Sequence, residues 1–215
     1  MIRRILTASA VAAGAAWLAG CETPSMDQSQ CVAADWTGQG YADAVAGRGM
    51  SRLDDHIEAC AEHGVTPDQS AYHAGHIEGR RVWCRPGNGF AVGRRGSGYN
   101  TGYCAADQEA DFMQALADGR EVYDARRFAD TLQNRVTEAQ GRADNLAEQI
   151  RVEEAALGVE GLTEDQISAI RLRIRNLRSD RDRELYEVGR LQSEADAARR
   201  EADAVANRFV PIYGR

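Results

Sequence analysis

The sequence predicts an all-α protein: a small disulfide-stapled helical head followed by a long antiparallel coiled-coil hairpin. Three observations carry this prediction. Core-type residues recur at alternating steps of three and four through most of the second half of the chain. Residues 107–209 hold few glycines and none of the four prolines, which stand at 24, 67, 86 and 211. Ahead of them, residues 31–106 combine four cysteines with dense glycine and aromatic punctuation, the composition of a module too small to rest on its core alone.

The chain opens on Arg3 and Arg4, an apolar run over 5–18, and then Leu18-Ala19-Gly20-Cys21. Charge, apolar run and small residues in that order make a secretory leader. A cysteine directly after Leu-Ala-Gly is similar to a lipobox, in which the thiol is acylated and the cysteine becomes the first residue of the mature chain. The run is too short for a bilayer core of roughly 30 Å and has no amphipathic period. Residues 1–20 are therefore read as a lipoprotein signal peptide, Cys21 as the lipid attachment site and 21–30 as a flexible polar tether. Glu22 follows Cys21, where Asp is the usual inner-membrane retention signal. In a Gram-negative cell the expected place is the inner leaflet of the outer membrane, facing the periplasm.

In the head, Asp35 caps a helix running to about Gly47, and Ser51 with Asp54 opens a second that stops at Gly64. Thr66 caps a third, with Pro67 in its first turn, ending near Cys84. Residues 85–103 read as a compact loop with one helical turn at 90–94. Four cysteines beyond Cys21 in an exported chain imply two disulfides. The first two helices run antiparallel across a tight turn, which brings Cys31 to Cys60. By the same logic Cys84, closing the third helix, meets Cys104, opening the long one. Each bridge contributes roughly 3–4 kcal/mol.

Over 107–209 the seam positions of the first arm are Val122, Ala125, Ala129, Leu132, Val136, Ala139, Ala143, Leu146, Ile150 and Glu153. Those of the second are Ile167, Ile170, Ile174, Leu177, Arg181, Glu184, Val188, Leu191, Ala195 and Ala198. The turn falls at about 158–162, and Thr163 with Gln166 forms a capping box that restarts the helix. Folding the chain back there pairs Ile150 with Ile170, Leu146 with Ile174 and Leu132 with Val188, each pair summing to 320. Small residues then face large ones, Ala143 opposite Leu177 and Ala129 opposite Leu191. A tail of 210–215 follows, and Phe209, Val210, Ile212 and Tyr213 are expected to dock near Phe112 and Leu116.

The formal charge is -7, or -9 without Arg3 and Arg4, and all 26 basic residues are arginine. A net acidic chain does not suit nucleic acid. The absence of lysine excludes Schiff-base chemistry and a phosphate-loop lysine. His56, His63, His73 and His76 lie near Cys60, which raises a metal or redox site. Gly87, Gly89 and Gly93 with Arg94 and Arg95 raise an anion or small-ligand site in the 85–103 loop. The bland alternatives weigh more: core-edge histidines and a turn-rich loop. No nucleophile elbow occurs around Ser97, and the acid pairs Asp54/Asp55 and Glu153/Glu154 diverge on their helices.

Several head residues, taken in order, form a pattern: Cys31, Asp35-Trp36, Gly40-Tyr41-x-Asp43, Gly47, Cys60, Tyr72-x-x-Gly75-x-x-x-Gly79, Trp83-Cys84, Gly89-Phe90, Gly93-Arg94-x-Gly96, Tyr99, Gly102-x-Cys104, Phe112 and Gly119. The pattern resembles a bacterial lipoprotein family known as domain of unknown function 2799, over about residues 31–123. Ala44 stands where that pattern has glycine. The resemblance implies an envelope lipoprotein and supplies no catalytic residues.

The expectation is thus a lipid-anchored envelope protein of structural, scaffold or adaptor type. It meets the membrane through Cys21 and an envelope protein through the hairpin, with no enzymatic activity, cofactor or nucleic acid. The loop and the Cys/His cluster are the two rival readings.

Overall fold

In a computed structural model, residues 25–214 are described; the leader, Cys21 and the first tether residues lie outside them. Seven α-helices and no strand occur among the described residues: α1 (Gln28–Ala33), α2 (Trp36–Val45), α3 (Arg52–Ala61), α4 (Gln69–Trp83), α5 (Pro86–Arg94), α6 (Ala106–Ala156) and α7 (Glu164–Tyr213). The head is built from two crossing pairs, α2 on α4 and α5 on the first turns of α6. The rest of α6 pairs with α7 to form the arm. Disulfides join Cys31 to Cys60 and Cys84 to Cys104, the pairing expected.

Residues 25–30, expected as tether, are instead part of the head. Asp27 and Gln30 close a capping box on α1, and Met26 is buried against the Cys31–Cys60 bridge. The third head helix starts two residues later than expected: Asp68, not Thr66, caps it by accepting from the Ala71 N–H. Segment 85–103 begins with a nine-residue helix, α5, rather than a loop. Glycine is a poor helix former, but Gly89 and Gly93 let α5 lie directly on the α6 backbone, and that packing outweighs propensity.

The arm's heptads and its Thr163–Gln166 capping box are as expected. Its register is not. One cluster holds Ala129, Leu132, Val136 and Ala139 of α6 with Val188, Leu191, Ala195 and Ala198 of α7. Matched antiparallel, these pair 129 with 198, 132 with 195, 136 with 191 and 139 with 188, all summing to 327. Val122 with Val205 continues the same series, and the cross-arm ion pairs Arg142–Glu184 and Arg173–Glu153, each summing to 326, agree with it. The arms are displaced by one heptad from the expected 320. Sequence periodicity cannot separate the two registers, since a shift of seven presents the same stripes. The C-terminal dock can. Phe209 and Tyr213 reach Phe90 on α5, at ring-centroid distances of 5.6 and 4.6 Å. The Tyr213 hydroxyl donates to Asp118 at 2.7 Å, and Arg208 pairs with Glu121. The dock thus lies on Phe90 and on Ala115, between Phe112 and Leu116, and Ile212 stays exposed. The expected tail is helical through Tyr213 despite Pro211.

Candidate functional site

The polar centre of the head is Asp43, buried on α2. Its Oδ2 accepts from the Tyr72 hydroxyl at 3.0 Å and from Gln39 at 3.2 Å, and lies 2.8 Å from His56 Nε2. Its Oδ1 accepts from Arg48 at 3.0 Å. Burial pushes the Asp43 carboxyl up, but the hydrogen bonds from His56, Gln39 and Tyr72 outweigh it and hold the group below its ordinary value. Burial and the Asp43 charge push the Tyr72 hydroxyl well up. On the far side of the ring, His56 Nδ1 lies 2.8 Å from Ser25 Oγ, which donates to the Asp55 carbonyl at 2.9 Å. Ser25, His56 and Asp43 thus stand in line like a catalytic triad. The serine hydroxyl has a single proton between two neighbours, however, His56 Nδ1 at 2.8 Å and the Asp55 carbonyl at 2.9 Å. The arrangement fastens the N-terminal segment to α2, α3 and α4.

His76 Nε2 lies 2.9 Å from the Arg48 carbonyl, and Tyr103, beyond α5, donates to the Ala44 carbonyl at 3.0 Å. Burial pushes the Tyr103 hydroxyl up to about 12. Aromatic rings continue from Trp36 through His56, Tyr72, His76, Tyr103 and Trp83 to Phe112, with successive centroids 4.8–6.4 Å apart. This row links the surroundings of both disulfides and forms the core of the head.

Glycine makes both helix crossings. A Cβ at Gly75 would fall 1.8 Å from the Thr37 carbonyl oxygen, and one at Gly40 would fall 2.1 Å from that of Tyr72. In the second pair a Cβ at Gly93 would fall 2.1 Å from the Leu116 oxygen, and one at Gly119 would fall 2.2 Å from that of Phe90. The offsets are the same in both pairs: each glycine nests against the residue three before its partner glycine. The head is one crossing motif used twice. The Tyr72-x-x-Gly75-x-x-x-Gly79 spacing is thereby explained as helix packing.

The remaining candidates separate. His56 and His76 are buried in the network, whereas His63 and His73 are exposed. All four head cysteines are in disulfides and offer no thiolate. Among the described residues no group of three His, Cys, Asp or Glu side chains converges to hold a metal ion. Gly89 and Gly93 face α6, so their backbone does not cradle an anion. Where α5, α6 and α7 meet, Phe90, Arg94, Val122, Arg126 and Asp203 help to line a cleft of about 410 Å³.

Residues 35–121 match the family described as "Protein of unknown function (DUF2799)". That segment of the chain is similar to it. The DUF2799 segment opens at the cap of α2 and ends two residues past Gly119, so it spans both glycine crossings and the first four turns of α6. The rest of the arm lies beyond it. No curated protein and no solved structure matches the chain.

Proposed function

We propose that this protein is a lipid-anchored stalk of the cell envelope, with a structural or adaptor role, whose arm presents partners at a set distance from the membrane. The observation that carries this reading is the continuity of α6. One helix of 51 residues, about 75 Å long, starts inside the disulfide-bonded head and runs unbroken to the tip. The anchor itself is read from the leader and Cys21. Ser25 and Met26 are fixed to the head, so three residues separate it from the acylated position, four Cα-to-Cα steps with a reach of at most about 14 Å. A head held that close, with a rigid arm beyond it, suits a spacer better than a loosely tethered binding domain. The buried network and the glycine crossings serve packing, and no reaction is assigned to them.

The anchor is tested by Cys21→Ser. The chain should leave the membrane fraction of cells that express it; retention of a cleaved, unacylated product would refute the reading. The spacer is tested by removing 137–143 together with 184–190. This shortens the arm by about 10 Å while keeping heptad phase and register. Crosslinks from the tip to an envelope partner should be lost with the fold intact. Unchanged crosslinks would refute a distance-setting role.

A further inference from the structure

We propose that the arm binds further copies of this same chain, side by side and pointing the same way, the outer face of α7 in one copy against the outer face of α6 in the next. The register gives every residue a height along the arm, residues summing to about 327 being level. From tip to head, the side of α7 turned away from the seam carries Leu172, Arg175, Arg183 and Tyr186, all exposed. Tyr186 is 78% exposed, the largest apolar knob on the arm. On the outer side of α6, Asp144 and Gly141 are level with Arg183 and Tyr186, while Val152 and Glu148 stand about one turn from level with Leu172 and Arg175, and all four are exposed. Within one turn, apolar, basic, basic and aromatic thus meet apolar, acidic, acidic and open.

Shape agrees with charge. Gly141, level with Tyr186, lines a hollow of about 680 Å³ together with Glu138, Arg142, Asn145, Leu146 and Glu184 of α7, so the hollow opens along the side of the arm, and a Cβ at Gly141 would meet nothing within 4 Å. Over 171–183 α7 holds six arginines against Asp180 and Asp182, and 144–160 holds Asp144, Glu148, Glu153, Glu154 and Glu160 against Arg151 alone, with Arg173–Glu153 and Arg178–Glu154 already paired across the arm of one copy. Within one copy Arg183 pairs with Asp180 and Glu148 with Arg151, and Gln140 donates to Asp144. These are exposed contacts of little worth that a neighbour can replace.

A two-fold pair through α7 alone would set arginine against arginine. The α7-to-α6 contact joins two different faces, so it repeats from copy to copy and gives rows or rings rather than closed dimers. The parallel orientation rests on the anchor proposed above, since one membrane aligns the copies and raises their effective concentration.

The test uses the full chain in cells that express it, carrying Ser179→Cys and Asn145→Cys, treated with a short bis-maleimide. The expected result is a ladder of dimers, trimers and larger species, with only monomer from either single variant. Adding Arg183→Asp should reduce the ladder roughly tenfold, and Asp144→Arg on top should restore it. Unchanged helical melting of these variants shows that the arm is folded. A dimer from Ser179→Cys alone overturns the proposal, as does a double variant without a ladder, wherever the chain is found. Fractionation of the same cells reads the anchor separately: chain in the soluble fraction refutes the anchor, and the pairing is then read with Cys21→Ser added, because an unacylated Cys21 would itself react with the maleimide.

Discussion

At the scale of single residues, glycine and one buried carboxylate decide most. Gly75 cannot gain a methyl group without moving the Thr37 carbonyl, so Gly75→Ala should cost about 3 kcal/mol or more in urea unfolding. Gly141, in open space on an exposed helix face, should behave oppositely, Gly141→Ala adding up to about 1 kcal/mol. Asp43 gives a pH signature. Its carboxyl titrates below its ordinary value of 3.8 in the folded head. Its contribution is therefore complete above 3.8 and is lost as pH falls through the lower, folded value. Asp43→Asn should weaken the head at neutral pH by about 3 kcal/mol, by leaving His56 and Arg48 without their partner. It should also flatten the acid limb of a stability–pH curve. An acid limb as steep as that of the native protein would contradict the assignment. Asp43, His56 and Tyr72 were each visible in the sequence, but not as a group. A charge on the face of α2 that carries Gly40 and Ala44 was the available signal, because a buried carboxylate requires donors.

At the scale of elements, local chemistry was legible where one or two residues decide. The pairing of Cys31 with Cys60 was legible, although α2 packs on α4 rather than on α3 and Cys31 sits in α1, and Thr163 with Gln166 marked the start of α7. Replacing both Cys84 and Cys104 with Ala should lower the stability of the head by about 3 kcal/mol, read by thermal melting, with the arm's own transition in place. What was not legible depends on distant contacts. Helix α5 looks like a loop until α6 is laid across its glycines, and the arm register is degenerate by one heptad until Phe209 finds Phe90. The register is checked by oxidation. Leu132→Cys with Ala195→Cys should close a disulfide readily, and Leu132→Cys with Val188→Cys should not.

At the scale of the whole molecule, head and arm share α6, so the head's disulfides and glycine crossings hold the root of a long lever. The match to DUF2799 covers most of the head and the first turns of α6, and the rest of the arm lies beyond it. The arm's far end is also bound to the head, because Phe209 and Tyr213 return α7 to α5. A rod fixed at its base through both helices resists bending about the head as one helix could not. Electron–electron resonance between spin labels at Arg95 and Glu160 tests this rigidity most directly. Gly96 lies against Tyr123, and the helix from there to the tip is about 50 Å long. A single narrow distribution near that distance is the result predicted. A broad distribution, or one centred below about 30 Å, would mean that the arm folds back or swings, and a stalk of set length would be contradicted.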